Sequence, residues 1–267
     1  MEIEVVVSHF SVFSGLVFSA LGNLPPLNRV TFYFPMELVL NILMTSAASA
    51  TAQVIAVSLA DSHMIRLTDL SQNADGEMIA NDLDHGSLTD DLVSGIDAII
   101  NIGYKGQSGT DTHLMDYHTR CIYNLLAAAS GAGVSRFINI STLRLYENHE
   151  ENLVVTERWR TDPSAEDIAI LGAHMTEVVC KEFARDRLID VVNLRFGWPF
   201  VETILPDSPH TAVITHDLIT ATVTESLLSD QLGPWQDVHV QSPVKHQRFI
   251  TNKAAKIFPN LADRLRQ

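Results

Sequence analysis

The chain is poor in cysteine, in cationic side chains and, at one decisive turn, in glycine. Its 267 residues include two cysteines, Cys121 and Cys180. Two are too few for a disulfide framework and fit a reducing, cytoplasmic compartment. Lys and Arg number 18 against 32 Asp and Glu, a formal net charge of −14. With no basic face in the sequence, nucleic acid and anionic lipid are excluded as partners. The apolar stretch 5–21 follows Glu2 and Glu4, and no Lys or Arg precedes Arg29, so it lacks the positive flank of a secretory signal. Interrupted by His9 and several serines, it also falls short of a membrane span. Residues 1–35 are therefore expected to be an N-terminal extension, either disordered or lying upstream of a true start at Met36. Of eleven histidines only His113 and His118 cluster with acids, Asp111 and Asp116. Their spacing does not present one liganding face, so no metal site is expected.

What the chain does have is an ordinary globular balance, 46% hydrophobic and 19% charged, laid out in a regular alternation. Short apolar runs at 38–45 (LVLNILMT), 64–68 (MIRLT), 97–103 (DAIINIG), 136–140 (RFINI) and 191–194 read as buried strands. Helical patterns at 50–60, 114–129 and 163–184 separate them, the second ended by Gly131 and Gly133. This order implies β-α-β units and an α/β doubly wound parallel sheet spanning 36–195, followed by a small C-terminal lobe at 196–267. The lobe reads as a helix near 216–228, a strand near 238–241 and a terminal helix. Ligands of such sheets bind outside the carboxyl ends of the strands. That singles out Thr45–Ala52, Asp69, Asn101–Lys105, Ser141–Tyr146 and Arg195–Pro199.

At those positions the chain resembles the NAD-dependent epimerase/dehydratase family, the extended short-chain dehydrogenases. The resemblance covers about 38–220 and is most specific in DAIINIG and YHTRCIYNLLAAASGAGVSRFINISTLRLY, with Asn124-Leu125-Leu126, Gly133-Val134, Arg136-Phe137 and Ser141-Thr142. The stretches VVNLRFGWPF (191–200) and ITHDL (214–218) add to it. It implies a Rossmann-type fold, NAD as cofactor, a small sugar-like or acid ligand, and a homodimer paired through helices at about 111–132 and 164–187.

The family's glycine-rich turn after the first strand lets backbone amides approach a pyrophosphate at a helix N-terminus. Here it reads Ser46-Ala47-Ala48-Ser49-Ala50-Thr51-Ala52, with Ser46, Ser49 and Ala52 in the glycine slots. A non-glycine residue held in a left-handed turn costs about 1–2 kcal/mol. Dinucleotide binding is thus expected to be weakened or lost, and both outcomes stay open. Asp69, 23 residues after Ser46, stands where the ribose-binding carboxylate is expected and favours NAD over NADP. Asp82 and Leu83 resemble the pair beside the adenine.

Family members carry a Tyr that exchanges a proton with the substrate hydroxyl and, four residues on, a Lys that lowers the Tyr pKa and holds the nicotinamide ribose. Counted through DIAILGAHMTEVVCKEF, those slots fall on Leu171 and Met175, neither able to exchange a proton. The accompanying hydroxyl slot is retained as Thr142, with Ser141 beside it. His174 is the one titratable neighbour of the lost pair, while Tyr104 and Lys105 could reach the crevice mouth. Arg195 and Arg248 are candidate anion contacts. His118 replaces the family's usual Asn. The resulting expectation is a relative without standard Tyr/Lys hydride transfer, keeping weak nucleotide or small-molecule binding. Two alternatives stand beside it: an active NAD-dependent oxidoreductase or epimerase with an atypical proton donor, and a protein-interaction scaffold that binds no nucleotide.

Overall fold

The computed structural model describes residues 38–104, 110–198, 200–201, 212–230 and 232–266. The N-terminal extension, Lys105 and Pro199 lie outside the described residues. Seven strands form one parallel sheet: β1 (Asn41–Met44), β2 (Met64–Asp69), β3 (Ile79–Ala80), β4 (Ala98–Ile102), β5 (Arg136–Thr142), β6 (Asp190–Phe196) and, later in the chain, β9 (Trp235–Val240). Their order is β3-β2-β1-β4-β5-β6-β9, the doubly wound α/β arrangement that the alternating pattern implies. The intervening pair β7 (Phe200–Val201) and β8 (Ile214–Thr215) forms a separate two-stranded ribbon.

Helices cover both faces. On one, α1 (Ala50–Leu59) and α6 (His216–Leu228) cover Ile42, Met44, Ile100, Ile138, Ile140, Val192 and Leu194. The short C-terminal helices α7 (Asn252–Ile257) and α8 (Ala262–Leu265) contribute Ala254, Ala255 and Leu265 to that same core. Residues on both sides of position 195 therefore share one hydrophobic interior. The strand expected near 238–241 begins at Trp235 and is the sheet's seventh member. On the other face lie α2 (Ser87–Val93), α3 (Asp111–Asp116), α4 (Ile122–Ala132) and α5 (Ile168–Arg185), over Leu43, Ile99, Phe137 and Val191. Side chains of successive strand residues alternate between the two faces, so each strand feeds both cores.

Local chemistry sets the helix ends. The Ser49 hydroxyl caps α1 by accepting the Ala52 N–H, and Asp167 caps α5 at Ile170. Gly133, at φ 78°, closes α4 in the left-handed conformation that glycine adopts without strain. Between α3 and α4 the helix widens into one π-turn, Tyr117–Cys121, a feature common at functional sites. Its His118 ring lies against Gly172 of α5, where a Cβ would overlap the imidazole, and its Nδ1 is 2.8 Å from the Thr176 hydroxyl. Among the described residues no helix is long and apolar enough to cross a membrane.

Candidate functional site

The site is built from the turn after β1 and the carboxyl ends of β2, β4, β5 and β6, with the first turns of α5 beside them. In the turn, Ser46 takes a left-handed φ of 47° although it carries a Cβ. Its buried hydroxyl donates to the Tyr117 hydroxyl at 2.8 Å. Ser49 caps α1, and Ala52 is fully buried under the helix. The Asp69 carboxylate ties down this turn. One oxygen accepts the Ala48 N–H at 3.0 Å; the other accepts the Leu70 N–H at 2.8 Å and the Asn73 side-chain amide at 3.3 Å. Asp82 accepts both the amide and hydroxyl of Ser71. Leu83 is buried at φ 51°, its N–H held by Asn81 and its carbonyl by Asn124.

At the end of β5, both hydroxyls of the Ser/Thr slot have partners. Ser141 donates to Glu177 at 2.5 Å, and Thr142 accepts the Arg144 N–H, capping the single 3-10 turn Leu143–Tyr146. Glu177 comes from α5. A helix brings residues four apart to one side, so Ala169 and Ala173 share the Glu177 face, and they are 3% and 0% exposed. Leu171 and Met175 stand two residues away, about 200° round the helix, and are half-buried. The α5 side chain that reaches the Ser/Thr slot is Glu177, which bonds Ser141. His174 sits on the helix flank with Nδ1 3.0 Å from the Thr161 hydroxyl, and burial draws its pKa below the ordinary histidine value. Tyr104 accepts a hydrogen bond from Arg144, which also pairs with Glu147 and Asp167.

Beneath these residues is an ion cluster. Arg195 of β6 makes a forked pair with Glu177, at 2.9 Å through Nε and 2.6 Å through Nη2, and approaches Asp237 of β9 at 3.3 Å. It also donates to the Tyr146 hydroxyl at 2.6 Å, and His239 Nε2 lies 3.3 Å from that oxygen. Burial pushes the Glu177 carboxyl up, but the Arg195 charge and hydrogen bonds outweigh it and hold the group ionised below the usual range. Burial raises the Tyr146 phenol well above its ordinary value despite the adjacent guanidinium. Fully enclosed at 0% exposure, Tyr146 cannot act as a substitute proton donor to a ligand. Arg195 is thus spent on protein partners, and Arg248 is too: its Nη2 serves the carbonyls of Tyr146, His149 and Glu150. Neither supplies the free cation expected of an anion contact. Among the described residues no three His, Cys, Asp or Glu side chains converge as a metal site would require.

Several of these groups escape a reading of the sequence alone. Glu177, Tyr146, Asp237 and His239 lie far apart in the chain, and no spacing rule joins them. One signal was available: the apolar strands DAIINIG, RFINI and VVNLRF each contain an asparagine, at 101, 139 and 193.

The seven-stranded parallel sheet and its covering helices define a Rossmann-type α/β protein. The model of the NAD dependent epimerase/dehydratase family matches residues 42–234, and the chain belongs to that family. No curated protein matches. Among solved structures, glucuronic acid dehydrogenase from Chromohalobacter salexigens superposes with a TM-score of 0.71 at 19% identity, over 86% of this chain and 85% of that one. Uronate dehydrogenase from Agrobacterium tumefaciens, as a tyrosine-to-alanine variant complexed with NAD, gives 0.71 at 17%, over 82% and 83%. MoeE5 in complex with UDP-glucuronic acid and NAD gives 0.63 at 14%, over 85% and 84%.

Proposed function

We propose that this chain is an epimerase/dehydratase-family protein that has given up Tyr/Lys hydride chemistry and keeps a weak site for an NAD-like dinucleotide and a small sugar-like or acid ligand. One observation carries the reading: Glu177 of α5 bonds Ser141, and the buried residues one and two turns before it on that face are Ala173 and Ala169. We assign the family's Tyr and Lys slots to these two alanines, in place of the count that gives Leu171 and Met175. Neither pair of side chains can pass a proton, and the Ser141 and Thr142 hydroxyls are engaged within the protein.

The adenosine half of a dinucleotide fits better than the nicotinamide half. Of the first-turn amides of α1, that of Ala52 is taken by the Ser49 hydroxyl, and those of Ala50 and Thr51, which precede the first intrahelical bond, are the ones a phosphate would meet. Asp69 stands at the end of β2 to accept ribose hydroxyls and disfavours a 2′-phosphate. When bound, NAD supplies a hydride acceptor; among the described residues, the α5 face that carries Glu177 bears alanines at 169 and 173 rather than a phenol or an ammonium. A uronate dehydrogenase variant with tyrosine replaced by alanine is known in complex with NAD, which supports binding that outlasts the loss of a tyrosine.

Titration calorimetry with NAD+, NADH and NADPH tests the binding claim. NADH is expected to bind more weakly than about 100 μM, with Ser46→Gly tightening it roughly tenfold by removing the Cβ and hydroxyl from the path of the pyrophosphate. Micromolar binding by the native chain would contradict this, and silence toward all three would favour a protein-interaction scaffold. Two copies are further proposed to pair through α4 and α5, in the cytoplasm, where Cys121 and Cys180 stay reduced. Tyr123 and Val178, 54% and 40% exposed on those helices, support the pairing. Light scattering on the same sample is expected to return twice the 29.5 kDa chain mass, and a single-chain mass would refute the dimer.

A further inference from the structure

A line of buried polar side chains crosses the sheet at one level. Asn101, Asn139, Asn193 and Asp237 occupy paired register positions on β4, β5, β6 and β9. Thr45, the residue after β1, begins the line. The Thr45 hydroxyl donates to Asn101 Oδ1 at 2.8 Å, and Asn101 Nδ2 donates to Asn139 Oδ1 at 2.9 Å. Asn139 Nδ2 then donates to Asn193 Oδ1 at 2.8 Å, and Asn193 Nδ2 to Asp237 Oδ1 at 3.0 Å. The three asparagines are fully buried, on the side of the sheet that carries Arg195 and Ser141. Gly103 leaves room for the line, since a Cβ there would overlap the Asn139 carboxamide.

The direction of these bonds is forced from one end. Paired with the Arg195 guanidinium, the Asp237 and Glu177 carboxylates only accept, so Asn193 turns its amide nitrogen toward Asp237 and its oxygen toward Asn139. The same constraint passes to Asn139, then Asn101, and ends on the Thr45 hydroxyl, which must donate. The Thr45 oxygen also receives the Ile102 N–H at 3.2 Å. The Tyr117 hydroxyl, 3.3 Å from the Ile102 carbonyl and 3.5 Å from Asn101 Oδ1, is left to donate in that direction and to accept from Ser46.

We propose that this ladder is a directional relay that positions the turn after β1: the carboxylates beside Arg195 set the orientation of every amide across the sheet and, through Thr45 and Tyr117, the donor role of Ser46. Asn101, Asn139 and Asn193 act as positioning residues for the turn. A change at the crevice floor is thereby felt at the turn, four strands away. The relay stands whether or not a dinucleotide binds, so the titration above can fail without it.

The test compares Asp237→Asn, whose new amide can donate as well as accept and so erases the forced order, with Asn139→Leu, which cuts the line at its centre. Val238→Ala, on the same strand but facing the opposite core, controls for general loosening. The readouts are the ring-carbon resonance of Tyr117 in tyrosine-labelled protein, assigned with Tyr117→Phe, and hydrogen exchange across residues 44–52. The relay predicts a displaced Tyr117 resonance and exchange in 44–52 at least tenfold faster than in the control, in both ladder variants. Should Asp237→Asn fail to fold, Asn139→Leu carries the same prediction. If Tyr117 and the turn match the control while only Tyr146, beside Arg195, responds, the relay is overturned.

Discussion

Replacing Arg195 with methionine is expected to destabilise the chain by about 3–5 kcal/mol, the usual cost of leaving one member of a buried ion pair without its partner. Arg195 and Glu177 have side chains 7% and 6% exposed, so water cannot take over the lost contacts. The loss would strand more than Glu177. Tyr146 loses its 2.6 Å donor and Asp237 its nearby cation. A second change, Glu177→Leu, made on top of Arg195→Met, is expected to recover part of the loss, because the buried Glu177 charge is then no longer stranded, while Asp237 and Tyr146 stay without their partner. Urea unfolding reads both effects as shifts in midpoint at constant slope. An Arg195→Met variant within about 1 kcal/mol of the native chain would mean that the pair is surface-like in its energetics.

Stability is expected to fall as pH drops below about 6.5, the ordinary histidine value, and His239 is the main cause. Burial, then the charges of Arg195 and Lys253, hold its pKa well below that value in the folded state. Its neighbourhood offers an incoming proton little. The ring packs edge-on to Tyr146 and Phe249, Nδ1 has no hydrogen-bond partner among the described residues, and the nearby Glu157 carboxylate accepts the His239 backbone N–H. Below pH 6.5 the unfolded chain therefore binds a proton that the folded chain refuses. The stability is whole above that pH and declines by up to about 1.4 kcal/mol per pH unit as the pH falls toward the folded pKa. His174, also lowered by burial, adds in the same direction. Thermal unfolding from pH 7.5 to 5 is expected to show the decline in the native chain and a shallower one in His239→Gln. Identical slopes would show that His239 is not the responsible group.

Much of the fold is legible in the residues, and for plain physical reasons. A strand buried on both faces must be apolar throughout, so DAIINIG and RFINI announce themselves. Glycines at 131 and 133 mark where α4 stops. The shorter elements β3 and α2 lack a run long enough to show a period. The turn after β1 is legible too: three missing glycines predict a strained non-glycine residue, and Ser46 is that residue. What the sequence does not carry is rotation about α5. Helical spacing alone does not say which face of α5 meets the sheet; the bond of Glu177 to Ser141 marks that face, on which 169 and 173 are buried. The ion cluster is hidden for a similar reason. Glu177, Arg195, Asp237 and Tyr146 belong to four elements, and only the strand register of β6 with β5 and β9 brings them together.

The proposed loss of Tyr/Lys chemistry is tested most directly by hydride transfer itself. Purified chain at high concentration is mixed with saturating NAD+ and a panel of uronic acids and neutral sugars, and the appearance of NADH is followed by absorbance. With alanine at both 169 and 173, NADH formation is predicted not to exceed that of a blank without protein, for any member of the panel. Sustained NADH production that scales with protein concentration would contradict the account and restore an active oxidoreductase with an unrecognised proton donor.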